Sequence, residues 1–287
     1  MKLTPNELFR PGAPFFLIAG PCVLEDDGLN LEVAGALVRL ADELALPVVY
    51  KASFDKANRA GGDSARGPGL EDGLRRLERV QRESGLPVLT DVHEPWQAAP
   101  AADVCDALQI PAFLSRQTDL IRAAAATGRP LNLKKGQWMA PEEMAGAVAK
   151  ARAAGAQACA VTERGTFFGY GDLVVDMRSF ERLRHATAAP AVFDGTHSVQ
   201  RPGRAGSASG GDPRFTRPLV CAAVAAGADA LFLEVHPEPT RAPSDGANML
   251  PLQQLRPLLL DVLAIREALR AGEAVSAGRA TPAPARA

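Results

Sequence analysis

Ala230-Leu231-Phe232-Leu233-Glu234 is the run whose reading decides how this chain closes. Four apolar residues in succession read as a buried strand. The carboxylate at its end is out of place there, because a buried charge needs a partner. Two other apolar runs end in equally pointed residues. Phe15-Phe16-Leu17-Ile18-Ala19 leads into Gly20-Pro21-Cys22, and Ala191-Val192-Phe193-Asp194 leads into Gly195-Thr196-His197. In a closed eight-stranded barrel the last strand neighbours both the seventh and the first. Cys22, His197, Glu234 and Asp245, which follows in the last loop, then meet at one rim. One thiolate, one imidazole and two carboxylates form a ligand set suited to a divalent transition metal. Taken singly these residues say less. Cys22 reads as a small buried hydrophobe, His197 as a partner for a carbonyl, and Asp245 in Ser244-Asp245-Gly246 as a turn residue. Their joint placement carries the argument.

The rest of the chain supplies the other strands. Apolar runs at 15–19, 47–52, 87–91, 107–110, 130–134, 158–162, 191–194 and 230–235 alternate with helical patterns at 29–45, 69–84, 95–102, 118–127, 141–154, 176–186, 214–226 and 251–270. The first helix carries Val33, Leu37, Leu40 and Leu44 on one stripe, the second Leu70, Leu74, Leu77 and Val80. Glycine or proline closes several helix-to-strand junctions, as in Gly85-Leu86-Pro87 and Gly128-Arg129-Pro130. Eight strand–helix units in 287 residues predict a single-domain (β/α)8 TIM barrel over residues 1–271. A doubly wound open sheet is the alternative, but no G-x-G-x-x-G follows the first strand. Residues 272–287, rich in Ala, Pro and Arg without apolar period, predict a disordered tail. The long loops at 53–68, 195–213 and 236–250 all follow strands, which points to an active site on the C-terminal rim. The Gly/Ser-rich segment 204–211 reads as either a lid or a plain linker.

Composition narrows the function. A formal net charge of −1 gives no global field for nucleic acid or an anionic membrane. No apolar stretch reaches the ~18 residues of a membrane span. The four cysteines show no framework spacing and predict reduced thiols in a cytoplasmic protein. The apolar start is five residues long and is preceded by Glu7 and Pro14, so it reads as the first strand, not as an export signal.

Basic residues gather on the same rim: Lys51, Lys56, Arg59 and Arg66 at and after the second strand, Arg116 after the fourth, Lys134 and Lys135 at the end of the fifth, Arg164 at the end of the sixth. Any one of them reads most simply as a solvated loop charge. Their clustering suits a phosphorylated or carboxylated substrate. Alternation in Leu131-Asn132-Leu133-Lys134 aims Asn132 and Lys134 into the barrel, where a lysine requires an anion, and aims Lys135 outward.

Several motifs, in order along residues 15–265, resemble one family, the 3-deoxy-D-manno-octulosonate 8-phosphate synthases. They are Lys51-Ala52-Ser53-Phe54-Asp55-Lys56-Ala57-Asn58-Arg59, Arg66-Gly67-Pro68-Gly69, Thr90-Asp91-Val92-His93-Glu94, Gln109-Ile110-Pro111-Ala112-Phe113-Leu114, Arg116-Gln117-Thr118-Asp119-Leu120 and Phe168-Gly169-Tyr170 with Leu173-Val174-Val175-Asp176. Cys22, Lys134-Lys135-Gly136-Gln137, Thr162-Glu163-Arg164-Gly165 and Thr196-His197-Ser198-Val199-Gln200 resemble its metal-dependent branch; the metal-independent branch has Asn in place of Cys22. Ala60, Trp138 and Gly195 depart from the usual pattern, and Ala60 puts one hydroxyl contact to the sugar phosphate in doubt.

The resemblance implies condensation of phosphoenolpyruvate with D-arabinose 5-phosphate and water, in the synthesis of a lipopolysaccharide inner-core sugar. It implies that Lys51, Arg116, Lys134, Gln137 and Arg164 bind phosphoenolpyruvate and that Lys56, Asn58, Arg59 and Asp91 bind the sugar phosphate. It gives Cys22, His197, Glu234 and Asp245 to a divalent ion (Fe, Zn, Mn, Co or Cd) and makes Lys134, His197, Asp245 and Cys22 the catalytic set. It also implies a homotetramer. The alternatives are a related synthase that uses erythrose 4-phosphate, which usually has Lys-Pro-Arg-Thr where this chain has Lys56-Ala57-Asn58-Arg59, and a metal-dependent sugar-phosphate aldolase, which would want more histidine ligands than the four histidines here provide. A non-catalytic sugar-phosphate binder is a third.

Overall fold

The computed structural model describes residues 3–57, 65–205 and 208–278. Eight parallel strands form the barrel: β1 (Phe16–Gly20), β2 (Val48–Lys51), β3 (Val88–Asp91), β4 (Ala107–Ile110), β5 (Leu131–Lys134), β6 (Cys159–Glu163), β7 (Ala191–Asp194) and β8 (Ala230–His236). Each pairs with the next in sequence, and β8 returns to β1, so the sheet is closed. The seam runs in register from Phe16 opposite Ala230 to Gly20 opposite Glu234. On its other side β8 sets Phe232 against Asp194. The expected neighbours of the last strand are therefore the observed ones.

Strand alternation sorts the side chains into two cores. Leu17, Val48, Tyr50, Leu108, Leu131, Leu133, Val161, Phe193, Leu231 and Leu233 face the helices. Phe16, Ile18, Val49, Leu89, Ala107, Ala160, Val192, Ala230 and Phe232 fill the barrel interior. The interior changes character along the axis. Apolar side chains occupy its N-terminal part. Gln109, Asn132 and Thr162 form a bonded polar layer above them, with Asn132 donating to Gln109 at 2.9 Å and accepting from Thr162 at 2.7 Å. At the top stand Lys51, Asp91, Lys134, Asp194 and Glu234. A short helix, α1 (Pro5–Leu8), stops the N-terminal mouth with Leu8 and Phe9; the Phe9 ring lies 5.7 Å from that of Phe16. Nothing in the apolar pattern of so short a segment announces it.

The outer helices are α2 (Asp27–Leu44), α3 (Leu70–Ser84), α4 (Ala98–Val104), α5 (Thr118–Ala126), α6 (Met144–Ala153), α7 (Ser179–Thr187), α8 (Thr216–Ala225) and α9 (Leu252–Gly278). Local chemistry sets their ends. Asp26 caps α2 by accepting from the Leu29 amide at 3.0 Å. Gly85 stops α3 in the left-handed region at φ 67°. α9 continues to Gly278, so residues 272–278 of the segment expected to be an unstructured tail are helical; residues 279–287 lie outside the described residues. Among the described residues no helix is long and apolar enough to cross a membrane, and all four cysteines are free.

Two hairpins sit on the C-terminal rim. Thr166–Gly169 pairs with Asp172–Val174, leaving Phe168 and Tyr170 exposed with positive φ. Gln200–Ala205 pairs with Ala208–Gly211. Of the glycine- and serine-rich segment 204–211, residues 204–205 and 208–211 belong to these paired strands, and residues 206–207 lie outside the described residues.

Gly20 marks where this geometry is tightest. A Cβ there would lie 2.1 Å from the Lys51 carbonyl oxygen, so β1 and β2 must part to admit it. Gly20→Ala is expected to cost about 3 kcal/mol, lowering the thermal midpoint by roughly 6–12 °C. Gly146→Ala in α6, where a new methyl meets nothing within 4 Å, should leave the midpoint unchanged or raise it. Equal midpoints for the two variants in calorimetry would show that the β1–β2 spacing does not constrain Gly20.

Candidate active site

The C-terminal layer of the barrel interior is a buried array of opposite charges. Its negative centre is Glu234, with 1% of its surface exposed. Glu234 Oε1 accepts from Lys51 Nζ at 3.2 Å and lies 3.7 Å from Lys56 Nζ. Glu234 Oε2 has no hydrogen-bond partner among the described residues and lies 3.4 Å from His197 Nε2. Burial pushes its carboxyl upward in pKa, but the His197, Lys56 and Lys51 charges outweigh burial and hold it well below the usual carboxylate range.

Cys22, Glu234 and Asp245 present ligand atoms that all lie within 4.8 Å of one another. Cys22 Sγ is 3.3 Å from Asp245 Oδ2 and 2.9 Å from Ser244 Oγ. Asp245 sits in the left-handed region at φ 52°, which Asp tolerates better than most residues, and the turn it makes points it back at Cys22. His197 stands just outside this trio, with Nε2 turned to Glu234. Its other nitrogen, Nδ1, is 2.8 Å from Asp194 Oδ2. A carboxylate behind the imidazole fixes the ring and leaves Nε2 free as a ligand, the arrangement common behind metal-bound histidine. Burial, and then the Glu234 charge, raise the Cys22 thiol well above its normal pKa. A nearby divalent cation has the opposite effect and favours the thiolate. The donor set, the orphaned Glu234 oxygen and the oriented imidazole fit such an ion.

Asp194 is the residue that sequence reasoning missed. It is wholly buried and accepts from four donors: the amides of Thr196 and His197 at 3.2 and 2.9 Å, His197 Nδ1, and Lys134 Nζ at 2.6 Å. The signal was present, since Asp194 ends an apolar strand just as Glu234 does. Lys134 does point into the barrel as expected, and Asp194 is the anion it meets. Its ammonium also lies 3.6 Å from the Phe232 ring centre. Burial lowers the Lys134 pKa, and Asp194 opposes that shift.

Arg164 follows β6 directly, within electrostatic reach of Asp194, Asp245 and Glu234, and Gln137 lies in the loop after β5. Both are buried, and both carry a polar atom without a partner among the described residues: Arg164 Nη1 and Gln137 Oε1. Burial pulls the Arg164 guanidinium below its normal pKa. Its Nη2 donates to Gln200 Oε1 at 2.6 Å, and Gln200 Nε2 approaches Asp245 at 3.4 Å. Gln200 thus links the arginine to the thiol–carboxylate trio. Across the barrel, Asp91 accepts from Ser53 at 2.5 Å, meets His93 Nε2 at 3.0 Å and lies 3.7 Å from Lys51. Arg116 stands apart: it is exposed, on the turn after β4, and its carbonyl accepts from Lys150. Asn58 and Arg59 lie outside the described residues.

Lys135 requires a correction. Alternation does aim it away from the barrel interior, but outward here is not solvent. Lys135 is wholly buried, 3.4 Å from Glu163. The loops after β5 and β6 cover that side.

Comparison with known proteins agrees with this architecture. The family model described as DAHP synthetase I matches residues 8–269. The chain belongs to the DAHP synthetase I family. Among its relatives, a protein of Cyanothece sp. named 2-dehydro-3-deoxyphosphooctonate aldolase is 53% identical over 94% of this chain and 98% of its own. Proteins of the same name from Alkalilimnicola ehrlichii and Syntrophotalea carbinolica are 54% and 53% identical, over 91% and 90% of this chain and 95% and 92% of theirs.

The depressed carboxyls predict an acid limb. Charges around Asp91, Asp194 and Glu234 overcome the effect of burial and hold all three below their usual range. Groups lowered by folding stabilise the protein fully above their unfolded pKa of about 4, and that stability is lost as pH falls toward their folded values. The thermal midpoint should fall progressively below pH ~4. Asp194→Asn should cost about 3–5 kcal/mol at neutral pH by stranding Lys134 and should make the acid limb shallower. Parallel acid limbs in the two proteins, measured by thermal scans between about pH 2 and 7, would rule out Asp194 as a contributor.

Proposed function

We propose that this chain is a 2-dehydro-3-deoxyphosphooctonate aldolase acting in the synthetic direction. It condenses phosphoenolpyruvate with D-arabinose 5-phosphate and water, giving 3-deoxy-D-manno-octulosonate 8-phosphate and phosphate. The observation that carries this reading is Arg164 Nη1, a buried donor without an acceptor among the described residues, just past the end of β6 as Lys134 stands at the end of β5. Buried polar atoms without partners mark a place where a ligand completes the bonding. An anion is what a guanidinium and an ammonium there would take.

On this reading Lys134, Arg164 and Gln137 hold the phosphate and carboxylate of phosphoenolpyruvate, with Lys51 behind them and Arg116 joining from the rim. Lys56, Asn58, Arg59 and Asp91 take the sugar phosphate. The cations bring together two anions that repel in water, so most of the rate enhancement comes from positioning and charge. C3 of the enol attacks the sugar aldehyde carbon, forming the new C–C bond. Water adds to C2, and the resulting hemiketal phosphate loses phosphate by C–O cleavage. Asp194 keeps Lys134 and His197 oriented during these steps, and Asp91 accepts from a sugar hydroxyl. Cys22, His197, Glu234 and Asp245 would hold a divalent ion, which supplies Lewis-acid polarisation or orients a water or the aldehyde when bound. A homotetramer in the cytoplasm completes the proposal. The Phe113–Trp138 stack, with ring centres 5.9 Å apart and both rings partly exposed on the rim, offers apolar surface for a neighbouring subunit.

Phosphate release with a panel of aldose phosphates tests the substrate assignment. Arabinose 5-phosphate should be strongly preferred over erythrose 4-phosphate, because residues 56–59 lack the proline-arginine of the erythrose-using motif. Comparable kcat/KM for the two sugars would favour the related synthase.

Chelation should abolish turnover, and Mn²⁺, Fe²⁺, Co²⁺, Zn²⁺ or Cd²⁺ should restore it to differing degrees. Cys22→Asn should fold, lose most of its metal affinity in calorimetric titration, and retain partial turnover that chelators do not touch. Full turnover by exhaustively stripped wild-type protein would defeat the metal assignment. Residual Cys22→Asn activity that chelators still abolish would argue against a purely positioning role for the ion.

A further inference from the structure

A second ion pair lies directly behind the anion cradle, on the side of β5 and β6 that faces away from the barrel interior. Lys135 and Glu163 are both essentially unexposed, at 0% and 1%. Each is the chain neighbour of a residue assigned to phosphoenolpyruvate: Lys135 follows Lys134, and Glu163 precedes Arg164. Glu163 Oε1 accepts from the amides of Arg164 and Gly165 at 2.9 and 2.7 Å. The same oxygen lies 3.4 Å from Lys135 Nζ. That ammonium also donates to the carbonyls of Gly136 and Met139, both at 3.2 Å, and to Thr166 Oγ1 at 3.4 Å. One ammonium and one carboxylate therefore bind the 135–139 loop, which carries Gln137, to the 163–166 turn, which carries Arg164.

Stability alone does not call for charges at this spot. A buried ion pair loses hydration on both partners, and an apolar pair of similar size is often as stable or more so. What the pair adds is direction. Its bonds go to backbone groups of the two loops, and those groups set where Gln137 and Arg164 emerge. Lys134 is already held from inside by Asp194. The corresponding support for Arg164 and Gln137 comes from outside.

We propose that Lys135 and Glu163 are positioning residues for the anion cradle, setting its affinity for phosphoenolpyruvate without touching substrate. The inference rests on the reading of the cradle given above. A displacement of even about 1 Å in such a site costs on the order of 100-fold.

Three variants separate positioning from plain stability: Lys135→Met, Glu163→Gln, and the two combined. Glu163→Gln retains an oxygen for the Arg164 and Gly165 amides and removes only the charge. Each single variant strands one buried charge and should lower the thermal midpoint. The double variant strands none and should recover much of it. Affinity should behave differently. In all three, KM for phosphoenolpyruvate, and its Kd by calorimetric titration, should rise roughly 10- to 100-fold, while KM for arabinose 5-phosphate stays within about twofold. A double variant that regains both its midpoint and its wild-type affinity for phosphoenolpyruvate overturns the proposal, as does unchanged affinity in any folded variant. If a single variant does not fold, the double variant decides. Wild-type protein that neither binds nor consumes phosphoenolpyruvate would bring down the underlying reading as well, an outcome distinct from a functional wild type with unaffected variants.

Discussion

Everything at the active rim depends on the seam between β1 and β8. Closing the sheet there sets Gly20 opposite Glu234 and, one strand further, Phe232 opposite Asp194. An open sheet would leave Cys22 and Glu234 on separate edges. The seam tolerates little variation, because Gly20 also packs against the Lys51 carbonyl of β2. Strand register then fixes side-chain direction, since a slip of one residue would turn Glu234 toward the helices and Leu233 into the site.

The second constraint is charge. The top of the barrel buries Lys51, Lys134 and Arg164 with Asp91, Asp194 and Glu234 in a space from which water is largely excluded. Each charge there needs an opposite one within a few ångströms. Lys134 finds Asp194, and Lys51 finds Glu234 and Asp91. Arg164 is the incomplete case: one of its nitrogens bonds Gln200, and another bonds nothing among the described residues. The lower interior can be apolar because every cation is carried at the strand ends. The polar layer of Gln109, Asn132 and Thr162 separates the two regimes.

Much of this was legible in the sequence. Apolar runs of four to six residues, each followed by a helical stripe, revealed the eight units, because buried parallel strands have no reason to alternate with polar residues. Strand order and the last loop brought Cys22, His197, Glu234 and Asp245 to one rim; Cys22, Glu234 and Asp245 present ligand atoms within 4.8 Å of one another, and His197 stands beside Glu234. Asp194 escaped because it is not itself one of the four residues read as a ligand set but bonds one of them, His197, together with Lys134. The hairpin at 166–174 escaped because Phe167, Phe168 and Tyr170 suggest burial, and two of those three rings are almost fully exposed. The α1 plug escaped because four residues hold too little periodicity to read. The burial of Lys135 escaped for a different reason: alternation fixes a direction and says nothing of what covers that side.

Lys134 and Lys135 show why that distinction matters. They are adjacent, identical in chemistry and both buried, yet the strand sends them to opposite faces. Lys134 meets Asp194 and an aromatic ring inside the barrel. Lys135 spends its donors on two carbonyls, a hydroxyl and Glu163. An ammonium has three protons, so Lys135 has none left for a substrate, whereas Lys134 has one strong protein acceptor and donors to spare. The count of acceptors, not the presence of positive charge, therefore separates the lysine that can bind an anion from the one that can only hold the walls of its site.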